Sequence, residues 1–175
     1  VRRLVGSEMC IRDRGLLDKW AVHLGGGLTH RLTREDALMI KENDLAAMSD
    51  SDLTNDQKIA QLIQSLQLDT AASFIEIEVR NEKEALTAAA VWSQTHAASD
   101  TELVIMLDNF GPERCKDVVA QLTDMELRDA ILLEASGNIT YQSLDDWFEC
   151  GVDVLSTSAI NRGVPPLDIS MIMGE

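Results

Sequence analysis

Five apolar runs in this 175-residue chain lead into polar side chains. Lys41 follows ALMI, Glu76 and Glu78 share one face of FIEIEV, Asp108 follows VIML, Glu134 follows AILL, and Ser156 and Ser158 finish VDVL. Carboxylates such as Glu78 and Asp108 offer hard oxygen ligands for Mg²⁺, or steady a developing positive charge. Cations complement them: HRLTREDALMIK holds His30, Arg31, Arg34 and Lys41, side chains that pair with carboxylate or phosphate oxygens. The same window also reads as a solvated mixed-charge loop, because Glu35 and Asp36 interrupt it. Two turns suit phosphate. EASGNIT sets Ser136 and Gly137 just before a helix start, and STSAINRG offers Ser158 and Ala159, so backbone N–H groups and a helix dipole would cradle an anion. An SG before a helix serves equally as a cap. Together these groups describe charge management around an anionic substrate.

Such groups need elements to bring them together, and the chain alternates two periods. LLDKWAVHLGGG spaces Leu17, Trp20, Ala21 and Leu24 on one helical face and stops at glycines. ALMIK is a compact strand-like run, and DQKIAQLIQSLQL returns to helical spacing through Ile59, Leu62, Ile63 and Leu66. FIEIEV alternates as a strand does, and Asn81 with Glu84 forms a capping pair for an alanine-rich helix. ELVIMLDN precedes PERCKDVVAQL, with Pro112 suited to a first helical turn and Cys115, Val118, Val119 and Leu122 on one stripe. AILLEASG precedes TYQSLDDWFECG, where Thr140 caps, Leu144, Trp147 and Phe148 pack and Gly151 terminates; VDVLSTS closes the series. Strands separated by helices without hairpin turns predict an α/β fold of parallel strands, a partial (open) β/α barrel with outer helices. The carboxyl ends of such strands converge on one mouth, so the polar residues that end these runs would meet there. A doubly wound sheet is the alternative, but no GxGxxG turn follows an early strand.

Composition limits the classes. At 45% hydrophobic and 26% charged residues, the chain suits one soluble globular domain. No run approaches the roughly 18 apolar residues of a membrane span, and the start lacks a signal-peptide pattern, which implies a cytoplasmic address and no membrane partner. Cys10, Cys115 and Cys150 show no metal-type pairing and read as structural thiols. The opening VRRLVGSEMCIRDR has no helical or strand period; residues 1–14 look like a translated sequencing-library adapter, leaving 15–175 as the β/α barrel domain. Setting aside its four Arg and two acids from the 15 basic and 30 acidic residues leaves 11 against 28, a formal charge of −17. Nucleic acid is excluded as a partner, since phosphate neutralisation needs clustered Lys and Arg. Trp20, Trp92 and Trp147 sit on helical stripes as core or interface packing, and His23 and His96 have no assigned role.

The ordered series LLDKWAVHLGGGLTHR, DALMIKEND, IEIEV, IMLDN, LLEASGNI and GVDVLSTSAIN…PPLDIS resembles the barrel domain of quinolinate phosphoribosyltransferase, also called carboxylating nicotinate-nucleotide pyrophosphorylase, over about residues 15 to 172. The resemblance implies transfer of a phosphoribosyl group from phosphoribosyl pyrophosphate to the nitrogen of quinolinate. One carboxylate is lost as CO2, giving nicotinate mononucleotide for NAD synthesis. It puts His30 and Arg31 on the quinolinate carboxylates, Lys41 beside the substrates, Glu78 and Asp108 at the ribose and its Mg²⁺, and Ser136, Gly137, Ser158 and Ala159 on the phosphoribosyl phosphate. Catalysis would fall to Lys41, Glu78 and Asp108. Glu76 would support Glu78.

Three positions depart from the family pattern. Asn43-Asp44 stands for Asn-His, Asn138 for the second glycine after Ser-Gly, and Asn161-Arg162 for a late Thr-His pair. Asn138 is compatible because Asn accepts positive φ better than most residues. The resemblance further implies a first barrel strand carrying Thr-Arg-Lys-Thr and an N-terminal domain upstream of Gly15, both missing here. That domain completes the neighbour's site in a homodimer or higher homo-oligomer, so this fragment is expected to have little activity and an exposed apolar edge. Two alternatives are a related barrel of molybdate-transport operons and a non-catalytic protein that binds phosphoribosyl pyrophosphate.

Overall fold

The structure, a computed structural model, describes residues 3–5, 15–33, 36–48, 52–68 and 72–160. In chain order its elements are β1 (Arg3–Val5), α1 (Gly15–Leu24), β2 (Ala37–Ile40), α2 (Glu42–Ala47), α3 (Asn55–Ser65), β3 (Phe74–Val79), α4 (Glu82–Thr95), β4 (Glu102–Asp108), α5 (Pro112–Asp124), β5 (Leu132–Ser136), α6 (Leu144–Trp147) and β6 (Val154–Ser156). All strands pair in parallel in the order β1-β6-β5-β4-β3-β2. With β1 and β2 at the two edges, the sheet stays open among the described residues, as a partial barrel. Strands β2 to β6 are the five expected from the alternation. The edge beside β6 is taken by Arg3–Val5, inside the adapter-like stretch.

Strand alternation divides two environments. Ile75, Ile77 and Val79 face the helices together with Leu103, Ile105 and Leu107 of β4, Leu133 and Ala135 of β5 and Leu155 of β6. Opposite them pack Ile59 and Ile63 of α3, the fully buried Ala85, Ala88 and Ala89 of α4, and Cys115, Val118 and Leu122 of α5. The other face of the sheet carries the strand-end acids and hydroxyls in register: Glu78 beside Met106, Met106 beside Glu134, and Asp108 beside Ser136, itself beside Ser156. Both faces of β4 are covered, which explains why its apolar run is nearly continuous.

Several helix ends follow the sequence. Asn81 Oδ1 accepts from Glu84 N at 3.0 Å, and Glu84 Oε2 accepts from Arg80 N at 2.8 Å, capping α4. Pro112 opens α5 behind Gly111 at φ 79°. Three elements differ from expectation. On α1 the apolar stripe faces outward: Leu17 and Trp20 are each 62% exposed, while Lys19 and Val22 turn inward. The cause is polar, because the Lys19 ammonium donates to the Arg31 carbonyl and so sets the buried face. Helix α2 was not expected, since ENDLAA buries only Leu45. The helix expected over 140–150 breaks into a 3-10 turn, Tyr141–Ser143, and the four residues of α6. There Thr140 and Ser143 cap each other reciprocally at 3.0 and 3.3 Å and tighten the first turn; Trp147 packs inside, but Phe148 stays exposed. Trp92 is buried as expected.

Candidate active site

The loop from α1 to β2 delivers His30. Its neighbour Arg31 anchors it: the guanidinium donates to the Ala37 carbonyl at 3.2 Å and reaches Met39 Sδ at 3.5 Å. His30 is thereby turned onto the sheet face away from the helices, where its Nε2 lies 2.8 Å from Glu76 Oε2 and 3.8 Å from Glu134 Oε2. Phe74 packs edge-on against the imidazole. Glu134 is fixed in turn by Ser156, whose hydroxyl donates to Oε1 at 2.5 Å. This layer is closed from solvent; the side chains of His30 and Glu76 are 2% and 0% exposed.

One step further along the strands lies a charged mouth. Lys41, the first residue after β2, places Nζ 3.1 Å from Glu78 Oε2. Asp44 holds the same residue from behind, its carboxylate accepting the Lys41 backbone N–H at 2.8 Å across the first turn of α2. The Asp44 departure therefore has a local role as a helix cap. Arg80, just past β3, joins the rest: its guanidinium is 2.8 Å from Glu42, 3.5 Å from Glu78 and 3.9 Å from Asp108. Lys41, Glu78 and Asp108 thus open onto one place. Glu78 and Asp108 remain reachable, with side chains 12% and 20% exposed.

Sequence alone misses Arg80 and underrates Glu134. The signal for Arg80 was its spacing of two from Glu78, which keeps it on the same strand face. Arg31 sits apart from the mouth, tied to the first residue of β2, the end away from Lys41. Arg34, Asn161 and Arg162 lie outside the described residues.

The two phosphate turns are neighbours. Asn109 N donates to the Ser136 carbonyl at 2.8 Å, and Asn138 Nδ2 donates to Asn109 Oδ1 at 3.2 Å. Gly137 has φ +99°, and a Cβ there would stand 2.2 Å from Asn109 Oδ1. Thr157 ties the next turn to this one, donating to the Ile139 carbonyl at 2.5 Å and accepting from Ala159 N at 3.0 Å. Ser136, Gly137, Ser158 and Ala159 therefore belong to adjoining loops. The expected helix dipole behind Ser136-Gly137 is weak, because α6 has four residues and follows a 3-10 turn; a cradle here rests on loop N–H groups.

The donor set suits a hard divalent cation. Glu78 and Asp108 both approach one guanidinium nitrogen of Arg80, so their oxygens converge on a cationic position, and carboxylates are preferred Mg²⁺ ligands. Chemically the mouth can neutralise phosphate through Lys41 and Arg80 and stabilise positive charge through the two carboxylates.

Comparison with known proteins matches residues 14–172 to the model of the quinolinate phosphoribosyl transferase C-terminal domain. A probable nicotinate-nucleotide pyrophosphorylase [carboxylating] of Archaeoglobus fulgidus is 30% identical over 156 residues, covering 89% of this chain and 53% of the relative. The Bacillus subtilis protein of the same name is 35% identical over 156 residues, covering 89% and 47%. The solved nicotinate-nucleotide pyrophosphorylase of Francisella tularensis superposes with TM-score 0.70 at 29% identity, covering 97% of this chain and 52% of that one. The chain spans about half the length of the curated relatives it matches. It belongs to the quinolinate phosphoribosyltransferase family, whose C-terminal barrel domain it contains.

Proposed function

We propose that the chain forms the catalytic barrel of an enzyme that transfers phosphoribosyl from phosphoribosyl pyrophosphate to the ring nitrogen of quinolinate, with decarboxylation to nicotinate mononucleotide in NAD biosynthesis. The observation that carries this reading is the convergence of Lys41, Glu78 and Asp108, the first pair at 3.1 Å and both carboxylates drawn to Arg80. The names of the relatives support it.

In the proposed reaction the bond from ribose C1 to pyrophosphate breaks, and pyrophosphate leaves with the electron pair. The ring nitrogen attacks the electron-poor C1; the adjacent carboxylate then departs as CO2, leaving its electron pair on the ring carbon, which takes up a proton from water to complete the nicotinate ring. Glu78 and Asp108 stabilise the oxocarbenium-like ribose, and Lys41 and Arg80 offset the charge of the departing phosphates. Mg²⁺ bound by Glu78 and Asp108 would neutralise pyrophosphate oxygens. Ser136, Gly137, Ser158 and Ala159 hold the phosphoribosyl phosphate. The resemblance puts His30 and Arg31 on the quinolinate carboxylates, but His30 is buried against Glu76 and Arg31 is tied to the Ala37 carbonyl away from the mouth, so neither is given an acceptor contact in this scheme.

A cytoplasmic setting fits the free thiols of Cys115 and Cys150 and the finding that, among the described residues, no helix is long and apolar enough to cross a membrane. A homodimer fits the outward apolar stripe of α1. The test is pyrophosphate release on the chain extended by the reading frame upstream of it. Quinolinate-dependent release is expected; turnover of nicotinate instead, or none, overturns the assignment.

A further inference from the structure

Arg80 touches three carboxylates at once, and the distances divide them into two kinds. Nη1 sits 2.8 Å from Glu42 Oε2, the separation of a formed charge-assisted hydrogen bond, whereas Nη2 stands 3.5 Å from Glu78 Oε1 and 3.9 Å from Asp108 Oδ2. The other oxygen of Glu78 is engaged separately, Oε2 by Lys41 at 3.1 Å. The backbone of Arg80 is pinned, its N–H donated to Glu84 Oε2 at 2.8 Å, while its side chain is 55% exposed. The residue thus has a fixed root, one firm anchor and a loose end over two acids.

That loose end lies where a divalent ion would bind. Glu78 Oε1 and Asp108 Oδ2, the atoms facing Nη2, are the oxygens a metal would take while Lys41 keeps Glu78 Oε2. Oxygen ligands stand about 2.1 Å from Mg²⁺, and a guanidinium about 4 Å from a double positive charge is repelled by it. Ion and arginine therefore exclude each other. We propose that Arg80 is an internal competitor for the metal position: it neutralises Glu78 and Asp108 until a divalent ion arrives, and the displaced guanidinium, still anchored on Glu42, turns to the phosphate oxygens that accompany the ion. A bare ion then binds weakly, because it must evict a cation that has no new partner. An ion carried by a diphosphate binds well, because the same diphosphate receives the guanidinium, so the two are coupled through one side chain. The proposal deepens the phosphoribosyl reading by making the paired ion and diphosphate the entering species; the competition itself rests only on the carboxylates around Arg80.

The test is titration of Mn²⁺, a paramagnetic stand-in for Mg²⁺, into the 175-residue chain, followed by electron paramagnetic resonance. Arg80→Met and Arg80→Gln are each expected to bind Mn²⁺ at least about fivefold more tightly than the unaltered chain, and either serves if the other misfolds. The gain should vanish when Glu78→Gln and Asp108→Asn are added. Arg114→Met removes the same charge from a residue that pairs with Glu82 instead, and should leave Mn²⁺ affinity within about twofold. Inorganic pyrophosphate, titrated calorimetrically in saturating Mg²⁺, should bind both Arg80 variants more weakly, the opposite sign to Mn²⁺ alone. Mn²⁺ affinity unchanged or lowered in the Arg80 variants, a gain matched by Arg114→Met, or a gain that survives loss of both acids overturns the competition. Undiminished pyrophosphate binding overturns the transfer to phosphate. Neither quinolinate nor phosphoribosyl pyrophosphate enters any of these titrations, so a failed substrate assignment is distinguishable from a failure of this proposal.

Discussion

Gly137 is the residue whose backbone leaves least freedom. At φ +99°, with Asn109 filling the space a Cβ would take, Gly137→Ala is expected to cost about 1–3 kcal/mol in urea unfolding and to weaken phosphate binding. Asp44 offers a milder test. Removing its carboxylate takes away the acceptor for the Lys41 N–H, so Asp44→Ala should cost about 0.3–1.5 kcal/mol and loosen the Lys41 backbone. Much of this scale was legible: strand-end carboxylates announced themselves, and Asn138 adopts φ 55°, as an Asn standing for glycine can. Arg80 was not, because apolar alternation ends at Val79 and the next residue looks like loop.

Helices α4 and α5 show how the element scale is held. Arg114 Nε donates to Glu82 at 2.7 Å, and its guanidinium stacks 4.3 Å from the Phe110 ring, while Cys115 packs beneath with no exposure. Burial, with Cys150 adding to it, pushes the Cys115 thiol up from 9.0 to about 12. The sign follows directly: below pH 9 the thiol is neutral in both states, and above it only the unfolded chain ionises. Stability should therefore decline as pH rises from 9 toward 12, by at most about 1.4 kcal/mol per pH unit from this group. Cys115→Ala should flatten that part of a pH-dependent urea series. Strands and the long helices were readable because each buries one consistent face. The failures share a cause: α2, α6 and the facing of α1 are decided by single polar contacts, Asp44 to Lys41, Thr140 to Ser143 and Lys19 to Arg31, which periodicity does not register.

For the whole molecule, one sheet serves two purposes. Its helix side supplies the apolar core, and its other side lines up acids and hydroxyls by register, so stability and chemistry use alternate residues of the same strands. The α1 stripe lies outside that core, and Trp20→Ser should change the stability of this chain by less than about 0.5 kcal/mol in urea unfolding. The central claim is that Lys41 and Asp108, 67 positions apart in sequence, act at one site. Calorimetric titration of phosphoribosyl pyrophosphate in Mg²⁺ into the chain, Lys41→Met, Asp108→Asn and the double variant tests it directly. Each single change should weaken binding, and the two should couple by at least about 0.5 kcal/mol; unchanged affinities, or strictly additive losses, would contradict a shared site.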